Sequence, residues 1–214
     1  MTEIPRTKFT EHQFTAYLGH YLTFPSYLGS YKKAFDILIS SIQESGSHID
    51  TIAYPILFLA RHCLELGLKT NIRYFAKYSS KIDYTNGGGH NLENLFEGFK
   101  LHVSETIKNL KLTHGIEVDN ADVKSFDDLC LEVEKLKDSF HVLDQSSDAF
   151  RYPVDKKRNP SFEHGEKINL LDVNEILEKS MLLFVHTADV FAKYTDYANQ
   201  IEAFYGDLMR EQFQ

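Results

Sequence analysis

Apolar side chains recur at intervals of three and four residues along most of the chain, the spacing that places them on one face of an α-helix. The alternation that marks half-buried strands is sparse. A looser apolar pattern over residues 8–22 indicates one short helix. Five further segments carry a clear helical pattern: residues 26–44, 50–78, 91–110, 126–139 and 173–205. The pattern therefore predicts an all-α bundle of five to six helices.

Short polar signals mark where several of these helices should begin. They are Pro25 at the opening of the first clear helix, Asp50 as an N-cap, and two capping boxes, Ser125 with Asp128 and Asp172 with Glu175. Residues 79–89 are predicted to be a loop, and two longer segments have no regular helical pattern: residues 111–124 and 140–171. The second is a long irregular insertion before the last long helix, and such long loops are often functional.

Composition and charge narrow the class of protein. The chain has 214 residues, 43% of them apolar, and no repeat or linker, so one domain over residues 1–214 is expected. A net charge of −8 argues against coating nucleic acid through bulk positive charge, but not against a local basic pocket. Cys63 and Cys130 lie in apolar helical patterns and are expected to be buried free thiols. With no signal-peptide core and a longest apolar run of residues 56–60, we expect a cytoplasmic protein without membrane contact.

A polar strip runs along the second clear helix within ARHCLELGLK, residues 60–69. Arg61, Glu65 and Lys69 are spaced by four and share one face, and His62 lies beside them. One interpretation is a ladder of ion pairs on a solvated face. The other is a buried polar strip in a groove between helices, because the surrounding residues are apolar nearly all round the helix.

His90 lies in GGGHNLENLF, at or just before the start of a predicted helix. A histidine there can simply satisfy backbone groups at the helix end. It can also reach a ligand, and the backbone amides of the same helix end can bind a phosphate. Both interpretations stay open at the level of sequence.

The long insertion contains FRYPVDKKRNPSFEH, residues 150–164. Arg151 stands between Phe150 and Tyr152, which makes it a candidate guanidinium anchor for a phosphate or for the carboxylate of Glu65. Residues 151–158 hold four basic residues and one acid, Asp155.

The second half of this segment has two interpretations. Arg158 and His164 have the spacing of an R-x5-H ribonuclease motif, with the polar Asn159 after the arginine. The same residues also have the composition of a tight surface turn. No metal-binding spacing of His or Cys, no P-loop and no dinucleotide fingerprint occurs, so no metal or cofactor is expected.

Three stretches together resemble a known superfamily. YPILFLARHCLELGLK, GHNLENLF and SDAFRYPVDKK, followed by a last long helix, are similar to bacterial helical proteins described as HEPN-like, after higher-eukaryote and prokaryote nucleotide-binding domains. The resemblance covers about residues 51–205. It implies a helical bundle that usually dimerises. Many members are metal-independent endoribonucleases in phage-defence and toxin–antitoxin systems, and others are inactive binding modules.

The resemblance implies roles for the candidate residues. Arg61 and Arg151 would hold a phosphate of RNA, and His62 or His90 would move the proton. The residues expected to position them are Glu65, Lys69, Tyr152 and Asp155. Arg158 and His164 form the alternative catalytic pair, although Pro160 departs from the family pattern. The expected partners are RNA or a nucleotide, a second copy of the chain, and an antitoxin or other defence-system protein. The alternative function is an inactive interaction or nucleotide-binding module.

Overall fold

Helices make up most of the chain in the computed structural model, which describes residues 7, 12–19, 22–80, 89–144, 149–155 and 157–212. They are α1 Phe24–Ser45, α2 Ile49–Phe75, α3 Leu92–His114, α4 Asn120–Glu134, α5 Lys137–Asp144 and α6 Leu170–Gln212. The described residues contain no strand, and an isolated antiparallel bridge joins Val154 to Pro160. The predicted all-α bundle, with an irregular insertion before the last helix, is confirmed.

The first two helices begin differently. Helix α1 follows Thr23, whose hydroxyl accepts a hydrogen bond from the Ser26 backbone N–H, and Pro25 lies in its first turn as predicted. Helix α2 follows His48, which has a left-handed φ of 65° and makes no side-chain cap. Asp50 lies within the first turn of α2, so its prediction as the N-cap was wrong. An acidic side chain there still interacts favourably with the helix dipole.

Both predicted capping boxes were also wrong, because an earlier polar residue caps each helix. The carboxylate of Asp119 accepts from the Ala121 N–H at 2.8 Å, so α4 begins before Ser125. The Asn169 side chain likewise accepts from Leu171 N–H at 3.0 Å, ahead of Asp172. Residues 111–124, predicted to be irregular, are therefore helical except for 115–119.

Other boundaries shift as well. Helix α2 ends at Phe75, earlier than predicted, and the helix predicted over 126–139 is divided between α4 and α5. Helix α5 continues into the segment predicted to be irregular from residue 140. Of the short helix predicted within 8–22, only residues 12–13 are helical in the part that the structure describes.

Helix α2 forms the centre of the bundle, where it packs against α1, α3 and α6. Its buried apolar residues cover about two thirds of the helix circumference. They are Ile56, Leu57, Ala60, Cys63, Leu64, Leu66, Leu68, Ile72 and Phe75. Both cysteines of the chain are free and buried as predicted, and burial raises the pKa of each thiol to about 12. A polar residue on α2 is consequently held within a crowded apolar environment.

The length and composition of α2 would also suit a membrane span. Its most apolar window of 18 residues has a mean hydropathy of 1.2, and 56% of that window is buried inside the bundle. The central helix of a helical bundle passes the same test. The packing of three neighbouring helices around α2 accounts for its apolar character without a bilayer.

Gly67 lies where α2 approaches α6 closely. A Cβ at this position would lie 2.3 Å from Cδ2 of Phe184, a buried ring that also contacts Phe99. Because this ring has little room to move, we expect Gly67→Ala to lower the free energy of unfolding by about 1–3 kcal/mol. Chemical denaturation of the purified variant measures this change.

Gly29→Ala is the matched control for Gly67→Ala. Gly29 is exposed in the interior of α1, and no heavy atom lies within 4 Å of its added Cβ. Alanine is favoured over glycine in a helix by about 0.5–1 kcal/mol, so this variant should be slightly stabilised. Wild-type stability of Gly67→Ala would contradict the close contact with Phe184.

Candidate functional site

A buried carboxylate, Glu65, joins three basic side chains. Glu65 Oε2 accepts a hydrogen bond from Arg61 Nη1 at 2.9 Å, and Oε1 accepts from Lys69 Nζ at 2.6 Å. Oε1 also lies 2.9 Å from Nδ1 of His90. These four residues are called the Glu65 network below. The predicted shared face of Arg61, Glu65 and Lys69 is confirmed.

Arg61 and Glu65, the centre of the Glu65 network, are buried and do not form a ladder on a solvated face. Arg61 is 4% exposed and Glu65 is 6% exposed. Burial alone would raise the pKa of the Glu65 carboxyl. Hydrogen bonds from Lys69 and His90, the charge of Lys69 and the hydrogen bond from Arg61 outweigh burial, so this pKa lies below its ordinary value. Glu65 is therefore a carboxylate at neutral pH.

His90 is held at both its backbone and its ring. The side chain of the next residue, Asn91, caps α3 by accepting from the Asn94 N–H at 2.7 Å. Arg61 Nη2 donates to the His90 carbonyl oxygen, and Glu65 holds the ring at Nδ1. Because a carboxylate can only accept, Nδ1 is the donor, and Nε2 is the nitrogen that accepts in the neutral ring. The His90 side chain is 70% exposed, so solvent and a ligand can reach this ring.

Arg61 makes its described hydrogen bonds to groups of the protein itself. Both of its terminal nitrogens bond to protein acceptors, the Glu65 carboxylate and the His90 carbonyl. Its Nε is buried and has no hydrogen-bond partner among the described residues. This geometry makes Arg61 a residue that positions Glu65 and His90, which differs from its expected role of holding a phosphate directly.

His62 lies between two aromatic rings. Its ring stacks on Phe58 with a centroid separation of 5.7 Å, and Tyr31 meets it edge-on at 4.5 Å. Burial lowers the pKa of His62 below its ordinary value, and the charges of Arg61, Lys69 and Arg151 act in the same direction against that of Glu65. His62 is therefore a neutral, half-buried ring packed against the Glu65 network.

Arg151 reaches α2, but through an aromatic ring. Its guanidinium lies 5.9 Å from the centroid of Phe58 and 5.6 Å from that of Tyr152. Glu65 is the internal partner expected for Arg151 from the sequence, yet the described contacts of Glu65 are with the other members of its network. Arg151 and Tyr152 are both exposed and border a cavity of about 320 Å³.

Asp155 and Arg158 belong to a tight exposed turn. The Asp155 carboxylate accepts from the backbone N–H groups of Lys157 and Asn159 at 2.7 and 2.8 Å, and Arg158 has a left-handed φ of 69°. The Asn159 side chain, together with these backbone donors, lowers the pKa of Asp155. Asp155 therefore stabilises its own turn, which differs from the expected role in positioning Arg151. His164 is exposed at a second turn.

Four aromatic residues near the site were missed by the sequence analysis. Phe58 and Tyr31 enclose His62, and Tyr54 and Phe162 contact each other beside Arg151 at a centroid distance of 5.6 Å. Tyr54 and Phe58 precede His62 by two turns and one turn of α2, a spacing visible in the sequence. That spacing alone does not distinguish a site wall from a core stripe.

No group of three or more His, Cys, Asp or Glu side chains in the described ranges is arranged to hold a metal ion. Comparisons of the chain with protein-family models, with curated proteins and with solved structures found no match. The geometry around His90 and the sequence resemblance therefore carry the functional argument.

Proposed function

We propose that the protein is a cytoplasmic, metal-independent endoribonuclease of HEPN-like type that acts in a phage-defence or toxin–antitoxin system. The observation that supports this best is an exposed imidazole, His90, held at Nδ1 by the buried carboxylate of Glu65. A carboxylate in this position fixes the orientation and tautomer of the ring, and it stabilises the imidazolium that forms when Nε2 takes a proton. A histidine that only capped a helix would need no such support.

The proposed reaction uses the ribose of RNA as its nucleophile. His90 Nε2 accepts the proton of a 2′-hydroxyl, whose oxygen forms a bond to the adjacent phosphorus. The bond from phosphorus to the 5′-oxygen breaks, and this oxygen takes a proton from water. The products are a 2′,3′-cyclic phosphate and a free 5′-hydroxyl. Lys69, which shares the Glu65 carboxylate with His90, supplies positive charge near the phosphoryl oxygens, and Arg61 positions Glu65 and His90. Arg151 would hold a neighbouring phosphate of the same strand.

Purified protein incubated with a labelled single-stranded RNA in EDTA tests this proposal. We expect cleavage without added metal, with fragments that end in a 2′,3′-cyclic phosphate. Mass spectrometry identifies that end group, and expression of the chain in growing bacteria should arrest growth. Intact RNA after prolonged incubation, together with normal growth, would contradict the proposal. Arg158 and His164 are the alternative catalytic pair in the same assay.

The exposed end of α6 favours a second function, that of an interaction module. Residues 202–212 are helical and all exposed, and Phe204, Tyr205 and Leu208 lie on one face by their spacing. Most helices are stabilised by packing such a face against another element. A second copy of the chain, as in the homodimer expected from the resemblance, would cover this face, and an antitoxin-like partner is the alternative occupant.

We expect Phe204→Glu/Leu208→Glu to convert a dimer into a monomer, because two charges would replace the apolar stripe. Size-exclusion chromatography with light scattering measures the mass of each form. Leu171→Glu is the matched control, since Leu171 lies at the opposite end of α6 and is 65% exposed, close to the 62% of Phe204. A wild-type protein that is monomeric at micromolar concentration, or a variant that remains dimeric, would contradict this assignment of the interface.

A further inference from the structure

A second concave site lies beside Arg151, outside the Glu65 network. It is a cavity of about 320 Å³ whose walls include Tyr54, Phe150, Tyr152 and Phe162, and these four residues are called the aromatic cavity below. Its volume is at the lower end of small-molecule pockets, which suits a ligand of about one nucleoside. The cavity walls come from α2 and from the long insertion, so both elements must be in place to form it.

The inner wall of the aromatic cavity is made of rings in mutual contact, and its outer rings are exposed. Phe150 is buried and stacks on Phe162 at a centroid distance of 5.5 Å, and Phe162 in turn contacts Tyr54 at 5.6 Å. Tyr54 is 48% exposed and Tyr152 is 57% exposed. Two exposed rings next to the stacked pair of buried Phe150 and partly buried Phe162 offer flat faces on which a planar ligand can stack.

Positive charge lies at the edge of the same cavity. Arg151 lines it, and its guanidinium stays within 5.6 Å of the Tyr152 ring centroid. By sequence, residues 151–158 carry four basic residues and one acid in a chain whose net charge is −8. A cation beside stacking faces complements a ligand that joins a planar aromatic group to an anion. A nucleotide has this combination.

The aromatic cavity and the Glu65 network are aligned along one face of α2. Tyr54 and Glu65 are eleven residues apart, which is close to three full turns and about 16 Å along the axis. Phe58 lies between them on this face and connects the two sites, because it contacts both Arg151 and His62. A strand of RNA lying along α2 would therefore meet both sites.

We propose that the aromatic cavity binds one unpaired base of single-stranded RNA, with Arg151 on its phosphate, while the neighbouring backbone extends along α2 to His90. This inference rests on the proposed ribonuclease function for its choice of RNA. Stacking on Tyr152 requires a base that is free of a duplex, so the substrate class is single-stranded RNA. Because every base has a flat face, the subsite tolerates any base.

Binding of a fluorescein-labelled, single-stranded 2′-O-methyl oligoribonucleotide, measured by fluorescence anisotropy, tests the inference. The blocked 2′-oxygen prevents cleavage, so binding is measured alone. We expect Tyr152→Ala to raise the dissociation constant about tenfold through the loss of one stacked base. Arg151→Gln should weaken binding and reduce its dependence on salt. Tyr197→Ala is the matched control, because Tyr197 is 55% exposed on α6 away from the cavity and its loss should leave binding unchanged.

Two results would overturn the inference: wild-type affinity in both Tyr152→Ala and Arg151→Gln, or equal affinity of the protein for the strand and for its duplex. Because Tyr152 and Arg151 are exposed, both variants should keep the wild-type melting temperature. Cleavage of unmodified RNA, assayed separately in EDTA with the wild type and Tyr152→Ala, distinguishes this inference from the proposed catalysis. Binding that depends on Tyr152 without cleavage of unmodified RNA would reject the nuclease and retain the subsite. Cleavage of unmodified RNA, together with wild-type binding by Tyr152→Ala, would reject the subsite and retain the nuclease.

Discussion

His90→Gln is expected to reduce the rate of RNA cleavage by about a hundredfold or more, the usual contribution of a positioned acid or base. Glutamine keeps most of the side-chain volume but cannot transfer a proton. The hydrogen bond from Arg61 to the carbonyl of residue 90 uses the backbone and is retained. Since the ring is largely exposed, the melting temperature should change little. Single-turnover cleavage of a labelled RNA in EDTA measures the rate.

His164→Gln is the control that distinguishes the two candidate histidines. His164 is also exposed, and it belongs to the alternative pair with Arg158. If His90 is the catalytic base, His164→Gln should retain the wild-type rate. Loss of cleavage in His164→Gln with full activity in His90→Gln would move the site to the long insertion. It would also reduce the Glu65 network to a structural role.

The fold could be predicted from the sequence because its dominant signal is local. An apolar face repeats with the period of the α-helix, and this period follows from backbone geometry whatever the tertiary partners are. The apolar character of α2 nearly all round also indicated that this helix is buried, whereas the burial of Arg61 and Glu65 was one of two interpretations that the sequence left open. The contact of Gly67 with Phe184 joins residues far apart in the chain, so the local helical pattern did not predict it.

The helix starts were predicted less well because several residues compete for the same role. Any Asp, Asn, Ser or Thr near a helix end can accept from its free N–H groups. Asp119 and Asn169 cap α4 and α6 a few residues before the predicted boxes. Ser125 lies inside α4, and its hydroxyl oxygen is 2.9 Å from Nε2 of His186 on α6. Tertiary packing determines which of these residues caps the helix, and the sequence pattern carries no information about that packing.

The contacts of the candidate site also fall into those that could be predicted from the sequence and those that could not. The pairs of Glu65 with Arg61 and Lys69 follow from a spacing of four on a helix and were predictable. The contact between Glu65 and His90 spans 25 residues, and the placement of Arg151 over Phe58 spans 93 by their sequence numbers. Both depend on how α3 and the long insertion pack against α2. The chemical types of these residues could be recognised in the sequence, but their arrangement around Glu65 is known only from the structure.

Glu65→Ala is expected to lower the free energy of unfolding by about 3–5 kcal/mol, because it leaves the Arg61 guanidinium buried without its carboxylate. The free energy should be measured by urea denaturation at neutral pH. Glu132→Ala is the matched control, since Glu132 pairs with Lys135 and Lys179 on the surface and such exposed pairs contribute at most about 1 kcal/mol.

The pH dependence of stability tests the same carboxylate. The pKa of Glu65 in the folded protein lies below its ordinary value of 4.5. Its stabilising contribution is therefore complete above that pH and is lost as the pH falls through the lower folded-state pKa. Glu65→Gln cannot titrate, so its stability should fall less steeply than that of the wild type below pH 4.5. Parallel curves for the two proteins would contradict the assigned pKa shift.

A double substitution that removes both Arg61 and Glu65 tests their effects on stability and on catalysis separately. Arg61→Met/Glu65→Leu removes both members of the buried ion pair and leaves the partly exposed Lys69 within reach of water. Such replacements of a buried ion pair are often neutral or stabilising. We expect this variant to recover most of the stability lost in Glu65→Ala, yet to cleave RNA as poorly as His90→Gln, because the imidazole has lost the carboxylate that orients it. A stable double variant with wild-type cleavage would mean that the buried pair is unnecessary for the reaction. Equal loss of stability in the single and double variants would mean instead that the ion pair itself maintains the packing of α3 against α2.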